Sequence, residues 1–217
     1  MGTRHSVLTA QVNYQYGNNV FVPYSIGSLI AYAKSFPDIS KAFHFLPPLF
    51  RRQDPKEVVR SGGKLDIVCL SCYLWNWEYN LVLARTIREA LPKCLILLGG
   101  TQVPDSSAGF FAKYPFVDIL VHHEGERTFA TVLREFLSAQ PNYLKIPGLS
   151  LRISENETLK TAPSERIKDL SQLPSPYLSG VFDFMTELGF SLNVSQETNR
   201  GCPYSCTFCD WGGATYA

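Results

Sequence analysis

The chain has 217 residues, 45% of them hydrophobic, which is enough for one well-filled core and part of a second unit. Its 20 Lys and Arg against 19 Asp and Glu leave a formal net charge of +1 with no long run of either sign, so nothing indicates a nucleic-acid partner. No apolar run reaches the ~20 residues of a membrane span and the N-terminus lacks a long apolar export segment, so a soluble cytoplasmic protein without a membrane partner is expected.

From Ser6 to Leu137, short apolar runs alternate with helical stretches, the pattern of a parallel sheet wrapped by helices. Five strands are predicted, at residues 6–12, 42–46, 66–71, 94–98 and 117–121. The last three are nearly continuous apolar runs, as parallel strands buried on both faces require. Asp54, Pro55 and Glu57 form a helix start, with Gly62 as its stop. Tyr79, Leu83, Ile87 and Leu91 recur every four residues ahead of Pro92, one apolar helix face, and Phe129, Val132, Leu133, Phe136 and Leu137 mark another. The expected class is therefore α/β, with a doubly wound five-stranded parallel sheet over residues 1–140. Residues 141–188 carry Pro141, Pro147, Pro163, Pro174 and Pro176 and read as a connector, with a strand-like piece at 149–153 and a hairpin candidate around Glu155, Asn156 and Glu157. A fresh strand at 190–195 opens a second unit, residues 189–217, whose elements are not completed within the chain.

Six cysteines in a chain without an export signal argue for metal or redox chemistry over a disulfide framework. Cys202, Cys206 and Cys209 follow the predicted strand at spacings of three and two intervening residues. A loop of that length can gather three sulfurs around one inorganic core. Three thiolates on a 4Fe-4S cubane leave one iron open for a reacting molecule, whereas electron-transfer clusters usually take four. A zinc site completed by a distant residue, or three incidental cysteines, are the alternatives.

The run Gly201 to Cys209, with the aromatic Phe208 just before the third cysteine, resembles the signature of the radical S-adenosylmethionine (radical SAM) superfamily. That resemblance implies that Cys202, Cys206 and Cys209 hold a 4Fe-4S cluster, that Phe208 shields it near the adenine of S-adenosylmethionine, and that the cluster loop follows the first strand of a partial (β/α) barrel. It implies a reductant such as flavodoxin or ferredoxin, and a small-molecule or peptide substrate whose identity the residues do not reveal. With most of that barrel outside the chain, these residues alone should not turn over.

In a doubly wound sheet, ligands sit at the carboxyl ends of the strands. Those ends are predicted to carry residues 13–17, then Ser71, Cys72 and Tyr73, then Gly99, Gly100, Thr101 and Gln102, then His122 through Glu126. Paired glycines there either admit a bulky ligand or simply make a tight turn. Upstream of a radical SAM signature, the segments beginning at Asp66, Leu97, His122, Pro147 and Asp169 resemble the cobalamin-binding domain of cobalamin-dependent radical enzymes. The resemblance implies that Ser71, Gly99 and Gly100 line a channel for the nucleotide tail of cobalamin, with Tyr73 and Gln102 near the corrin. Residues 13–17 depart from it, because related domains carry an Asp-x-His-x-x-Gly motif there and this chain has no histidine in that stretch.

Structural roles are expected for His122 and His123. Strand alternation places Cys69 and Cys72 on opposite faces, which separates them as ligands, and Cys94 reads as core. Trp75 and Trp77 are read as packing residues, and Glu126 as complementing a helix N-terminus. The implied function is the N-terminal part of a cobalamin-dependent radical SAM enzyme, a methyltransferase acting on an unactivated carbon or phosphorus centre. The alternatives are a radical SAM cyclase or oxidoreductase with a vestigial cobalamin domain, and a corrinoid- or nucleotide-binding module with structural zinc.

Overall fold

Each of the five apolar runs becomes a strand of one sheet. The computed structural model describes residues 4–154, 157–202, 204 and 206–208. In chain order its elements are β1 (His5–Ala10), the short pair β2 (Gln15–Tyr16) and β3 (Asn19–Phe21), α1 (Tyr24–Lys34), α2 (Pro37–Ala42), β4 (Phe43–Phe45), α3 (Pro55–Gly62), β5 (Ile67–Ser71), α4 (Trp77–Ala90), β6 (Leu95–Gly99), α5 (Phe110–Lys113), β7 (Ile119–Val121), α6 (Glu126–Phe136), β8 (Leu149–Arg152), β9 (Thr158–Lys160), α7 (Asp183–Thr186) and β10 (Ser191–Asn193).

The large sheet has the order β4-β1-β5-β6-β7-β8-β9. Its first five strands run parallel, and β8 and β9 add to β7 as an antiparallel hairpin. The expected parallel sheet is present, and the early part of the proline-rich segment lengthens it. Leu149, Ser150 and Leu151 are all buried, so β8 covers the backbone edge that β7 would otherwise leave open. Gly148, at φ +82°, turns the chain into β8. The tip of this hairpin, residues 155–156, lies outside the described residues.

Alternation along the strands sends side chains into two cores. Ile67 and Cys69 of β5 point into one, beneath α1, α2 and α6, while Val68 and Leu70 point into the other, beneath α3, α4 and α5. Helices on both faces make the sheet doubly wound. The helix signals act as expected: Leu83 and Ile87 of α4 and Phe129, Val132 and Leu133 of α6 are buried. At α3, the Asp54 side chain accepts from the Lys56 backbone N–H at 2.9 Å, Pro55 occupies the first turn, and Gly63 ends the helix at φ +62°. Among the described residues, no helix is long and apolar enough to cross a membrane.

A second, three-stranded sheet has the order β10-β3-β2. β2 and β3 form a hairpin that interrupts the loop after β1, and β10 pairs with β3 in parallel, Ser191 opposite Asn19 and Asn193 opposite Phe21. The expected strand at 190–195 thus forms on the hairpin. The segment leading to it lies on α1, where the Phe182 ring fills the space above Gly27: a Cβ on Gly27 would stand 2.0 Å from the Phe182 ring.

The turns after β5 and β6 are clamped together. The Cys72 N–H donates to the Gly99 carbonyl at 2.7 Å and the Gln102 N–H to the Cys72 carbonyl at 3.1 Å. Gly100 adopts φ +98°, and a Cβ there would meet the Cys72 carbonyl oxygen at 2.6 Å. Gly109, at φ +70°, has nothing within 4 Å of its Cβ position. Gly100→Ala is therefore expected to destabilise the protein by about 3 kcal/mol, combining backbone strain with overpacking, and Gly109→Ala by about 1 kcal/mol from strain alone. Urea denaturation of the two variants tests this; equal losses would show that the Cys72 contact relaxes freely.

Candidate functional site at the carboxyl edge of the sheet

The crossovers from β1 and from β5 leave in opposite directions across the sheet, which opens a crevice between their carboxyl ends. Polar groups from four segments meet there. The Ser25 hydroxyl donates to Gln11 Oε1 at 2.8 Å, and lies 2.9 Å from the Tyr73 hydroxyl and 3.4 Å from the Ser71 hydroxyl. Asn76 ties the two strand ends together, donating to the Val12 and Ser71 carbonyls, each at 3.0 Å, and accepting from the Tyr73 N–H at 2.8 Å. Asn80 adds a 3.1 Å bond to the Ser71 carbonyl. Ser71 is thus buried and engaged within the protein, and Tyr73 is anchored at its hydroxyl.

That anchoring fixes the Tyr73 ring, on which Trp75 stacks at 4.6 Å between centroids and 4° between planes. Tyr14 lies 6.3 Å from Trp75 and 6.2 Å from Tyr16, and Tyr14, Tyr16, Leu74 and Trp75 are exposed. Trp75 therefore belongs to an open aromatic surface and not to the packing expected for it. Trp77 packs as expected, against Phe110 and Tyr114. Gly99 and Gly100 differ: a Cβ on Gly99 would touch only Val121, at 3.6 Å or more, whereas the Cys72 backbone fills the space at Gly100. Gln102 borders an open depression of about 340 Å³ with Trp77, Lys113 and Tyr114. Gln11, Ser25, Asn76 and Asn80 are the residues that sequence reasoning missed. Only the two asparagines left a signal, polar positions four apart, Asn76 just ahead of α4 and Asn80 on its buried face.

At the end of β7, His122 is 4% exposed and its Nε2 lies 2.8 Å from the Ser150 hydroxyl. His123 takes φ +59° in the turn. Glu124 accepts from the Ile167 N–H at 2.6 Å. Glu126 opens α6 as expected, and is also paired with Arg200. Cys69 and Cys72 fall in opposite cores, and burial pushes both thiols, and that of Cys94, up to about 12. Burial thus disfavours their thiolate forms, as befits core residues.

Cys202 is half-buried and Cys206 exposed, both as free thiols. Phe208 is 91% exposed. Cys209 lies outside the described residues. Among the described residues, no group of three His, Cys, Asp or Glu is gathered for a metal. A half-buried thiol at Cys202 and an exposed one at Cys206, just after the paired Arg200, fit a metal-sulfur core, and the uncovered aromatic surface fits a flat apolar ligand.

Burial lowers the His122 imidazole from 6.5 to about 4, helped by Lys160 and His123. The unfolded chain takes up this proton first as pH falls, so the contribution to stability is complete above pH 6.5 and is lost progressively towards pH 4. About 3 kcal/mol is the most this can amount to. His122→Gln should flatten the acid limb of the stability curve, measured by denaturant midpoints from pH 7 to 4; an unchanged limb would assign it to other groups.

No family model matches the chain. It is 40% identical over 199 residues to the 2-(S-pantetheinyl)-carbapenam-3-carboxylate methyltransferase of Streptantibioticus cattleyicolor, and 40% identical over 199 residues to the cobalamin-dependent radical SAM methyltransferase TokK of Streptomyces tokunonensis. Each match takes in 90% of the chain, which spans 29% of either relative's length. The hopanoid C-3 methylase of Methylococcus capsulatus is 30% identical over 155 residues, 66% of the chain and 27% of that protein. The fold matches that of the cobalamin-dependent radical enzyme OxsB, solved with aqua-cobalamin and S-adenosylmethionine, at a TM-score of 0.70 and 20% identity, over 95% of this chain and 28% of that one. The aligned sequence, the sheet and the cysteine loop together place the chain in the cobalamin-binding-domain radical SAM enzyme family, as the N-terminal portion of its members.

Proposed function

We propose that the chain supplies the cobalamin-binding domain and the cluster loop of a radical SAM methyltransferase that acts on an unactivated carbon. The observation that carries this reading is the cysteine loop emerging from β10, joined by Arg200 to the strand-end turn of a sheet whose carboxyl edge bears an uncovered aromatic surface. The relatives support the choice of carbon: one is named for a carbapenam carboxylate and another for hopanoid C-3. When bound, the cluster would supply the electron that cleaves S-adenosylmethionine, and cobalamin would supply the methyl group.

The chain's own residues bind and orient. Cys202, Cys206 and Cys209 would hold the cluster, and Phe208 would shield it. The Tyr73 ring, held by Ser25, and Trp75 stacked on it would offer a flat face to the corrin, with Gln102 as a further contact. Gly99 leaves room for the nucleotide tail, while Gly100 contributes by letting the Cys72 turn close against it. Ser71 would contribute through Ser25, whose hydroxyl lies 3.4 Å from its own and 2.9 Å from that of Tyr73. A reductant such as flavodoxin or ferredoxin would deliver the electron, and clustered cysteines reserved for metal chemistry suit a reducing compartment such as the cytoplasm.

Anaerobic reconstitution with iron and sulfide should yield a broad charge-transfer absorption that disappears in Cys202→Ala, Cys206→Ala or Cys209→Ala. Cys69→Ala and Cys94→Ala should keep it and lose about 1 kcal/mol of stability. Stoichiometric zinc without iron would overturn the cluster assignment. Hydroxocobalamin should bind the protein, and Trp75→Ala should weaken binding about tenfold by removing an aromatic contact of about 1.4 kcal/mol; titration by visible absorbance reads this out, and unchanged affinity would remove the aromatic surface from the site.

A further inference from the structure

Arg200 joins the segment ahead of the cysteine loop to the large sheet. Arg200, two residues before Cys202, is 13% exposed, and Glu126 at the start of α6 is 5% exposed. Arg200 Nη2 donates to Glu126 Oε1 at 2.5 Å and Nη1 to Glu126 Oε2 at 3.1 Å, a two-pronged pair. Its Nε donates to Glu197 Oε2 at 2.8 Å, and Glu124 Oε1 stands 3.8 Å from Nη1. Burial works against the charge on Arg200, but the Glu126 and Glu197 carboxylates outweigh it and hold the guanidinium firmly protonated.

Each partner is held in place before they meet. Glu126 lies in the first turn of α6, where the helix dipole favours a carboxylate. That turn packs against α1 closely enough that a Cβ on Gly125 would stand 3.0 Å from Leu29. On the other side, β10 is paired to β3, and the Tyr177 hydroxyl donates to the Ser195 carbonyl at 2.5 Å. Neither of those anchors reaches the cysteines. The planar fork of an arginine fixes direction as well as distance on a carboxylate, which a lysine does not.

We infer that the Arg200–Glu126 pair is a latch that positions the cluster loop on the turn after β7, so that Glu126 acts on the cluster through Arg200 as a positioning residue. The inference rests on the reading of the loop as the cluster site. In the presence of the latch, the first cysteine leaves the sheet edge in one direction. The same guanidinium also stands 3.8 Å from Glu124 Oε1, in the turn just before Glu126, so both carboxylates of that turn face Arg200.

The test uses the whole protein with Glu126→Gln, with Arg200→Lys, and with the exchanged pair Glu126→Arg plus Arg200→Glu. In the protein before iron is added, amide hydrogen exchange at residues 197–202 should quicken at least tenfold in each single variant. After anaerobic reconstitution, both should keep their circular dichroism and hydroxocobalamin binding. Their iron content should fall by half or more, and the electron paramagnetic resonance signal of the reduced cluster with S-adenosylmethionine should broaden. The exchanged pair should recover neither, because a carboxylate at position 200 would meet Glu124 and Glu197; full recovery would show that those two carboxylates do not shape the joint. If one single variant fails to fold, the other carries the comparison. Wild-type iron content and an unchanged resonance signal in both single variants would overturn the latch. If the unsubstituted protein takes up no iron, the cluster reading fails, while faster exchange in the variants still upholds the latch as a joint between the sheet and the loop.

Discussion

Burial of the parallel strands on both faces is the constraint from which the rest of the molecule follows. β5 is buried along its whole length between β1 and β6, so alternate side chains must be apolar in both directions. No reacting group can be carried along such a strand. Chemistry is displaced to the ends, where the backbone leaves the sheet and polar groups again find partners. The carboxyl ends collect the Gln11, Ser25, Ser71 and Tyr73 network, the Gly99 and Gly100 turn, and the Glu124 and Glu126 turn.

The same constraint explains what could be read from the sequence. Continuous apolar runs announce buried strands, and all five parallel strands lie within or against the predicted segments. Alternation also separates Cys69 from Cys72, and the two do fall in different cores. Short elements whose stability comes from distant pairing left little trace. β2 and β3 have two and three residues, and their signal is only Gly17 at φ +58° followed by Asn18, a turn between strand-forming residues. The 149–153 piece and the hairpin after it were legible as local structure, but nothing in them says that Leu149 lies opposite Val121.

At the site, the sequence drew attention to the cysteine spacing and missed the polar network. A thiol cluster is written in consecutive residues, whereas Gln11, Ser25 and Tyr73 come from three elements and meet only because their strand ends share a crevice. Glu126 and Arg200 are 74 residues apart. Glycine was ambiguous for a different reason. Gly99 and Gly100 look alike in the sequence, but one faces Val121 at an ordinary contact distance and the other is pressed on the Cys72 backbone. Freedom from a Cβ serves the fold at Gly100 and leaves space at Gly99.

The departure at residues 13–17 acquires a physical reading from this geometry. Where the Asp-x-His-x-x-Gly motif would stand, Gln15 and Tyr16 form β2, pairing with β3, and β3 in turn receives β10. A backbone committed to holding the first strand of the second unit has its direction set by that pairing. Its side chains then project as an exposed pair, Tyr14 and Tyr16, beside Trp75. The loop after β1 thereby joins two tasks: it completes the aromatic surface at the sheet edge and carries the strand from which the cysteine loop departs. The Arg200 contact closes the same path from the other side, at the turn after β7. The loop is therefore held from both flanks of one sheet edge, by backbone pairing at its entry and by a buried ion pair two residues before its first cysteine.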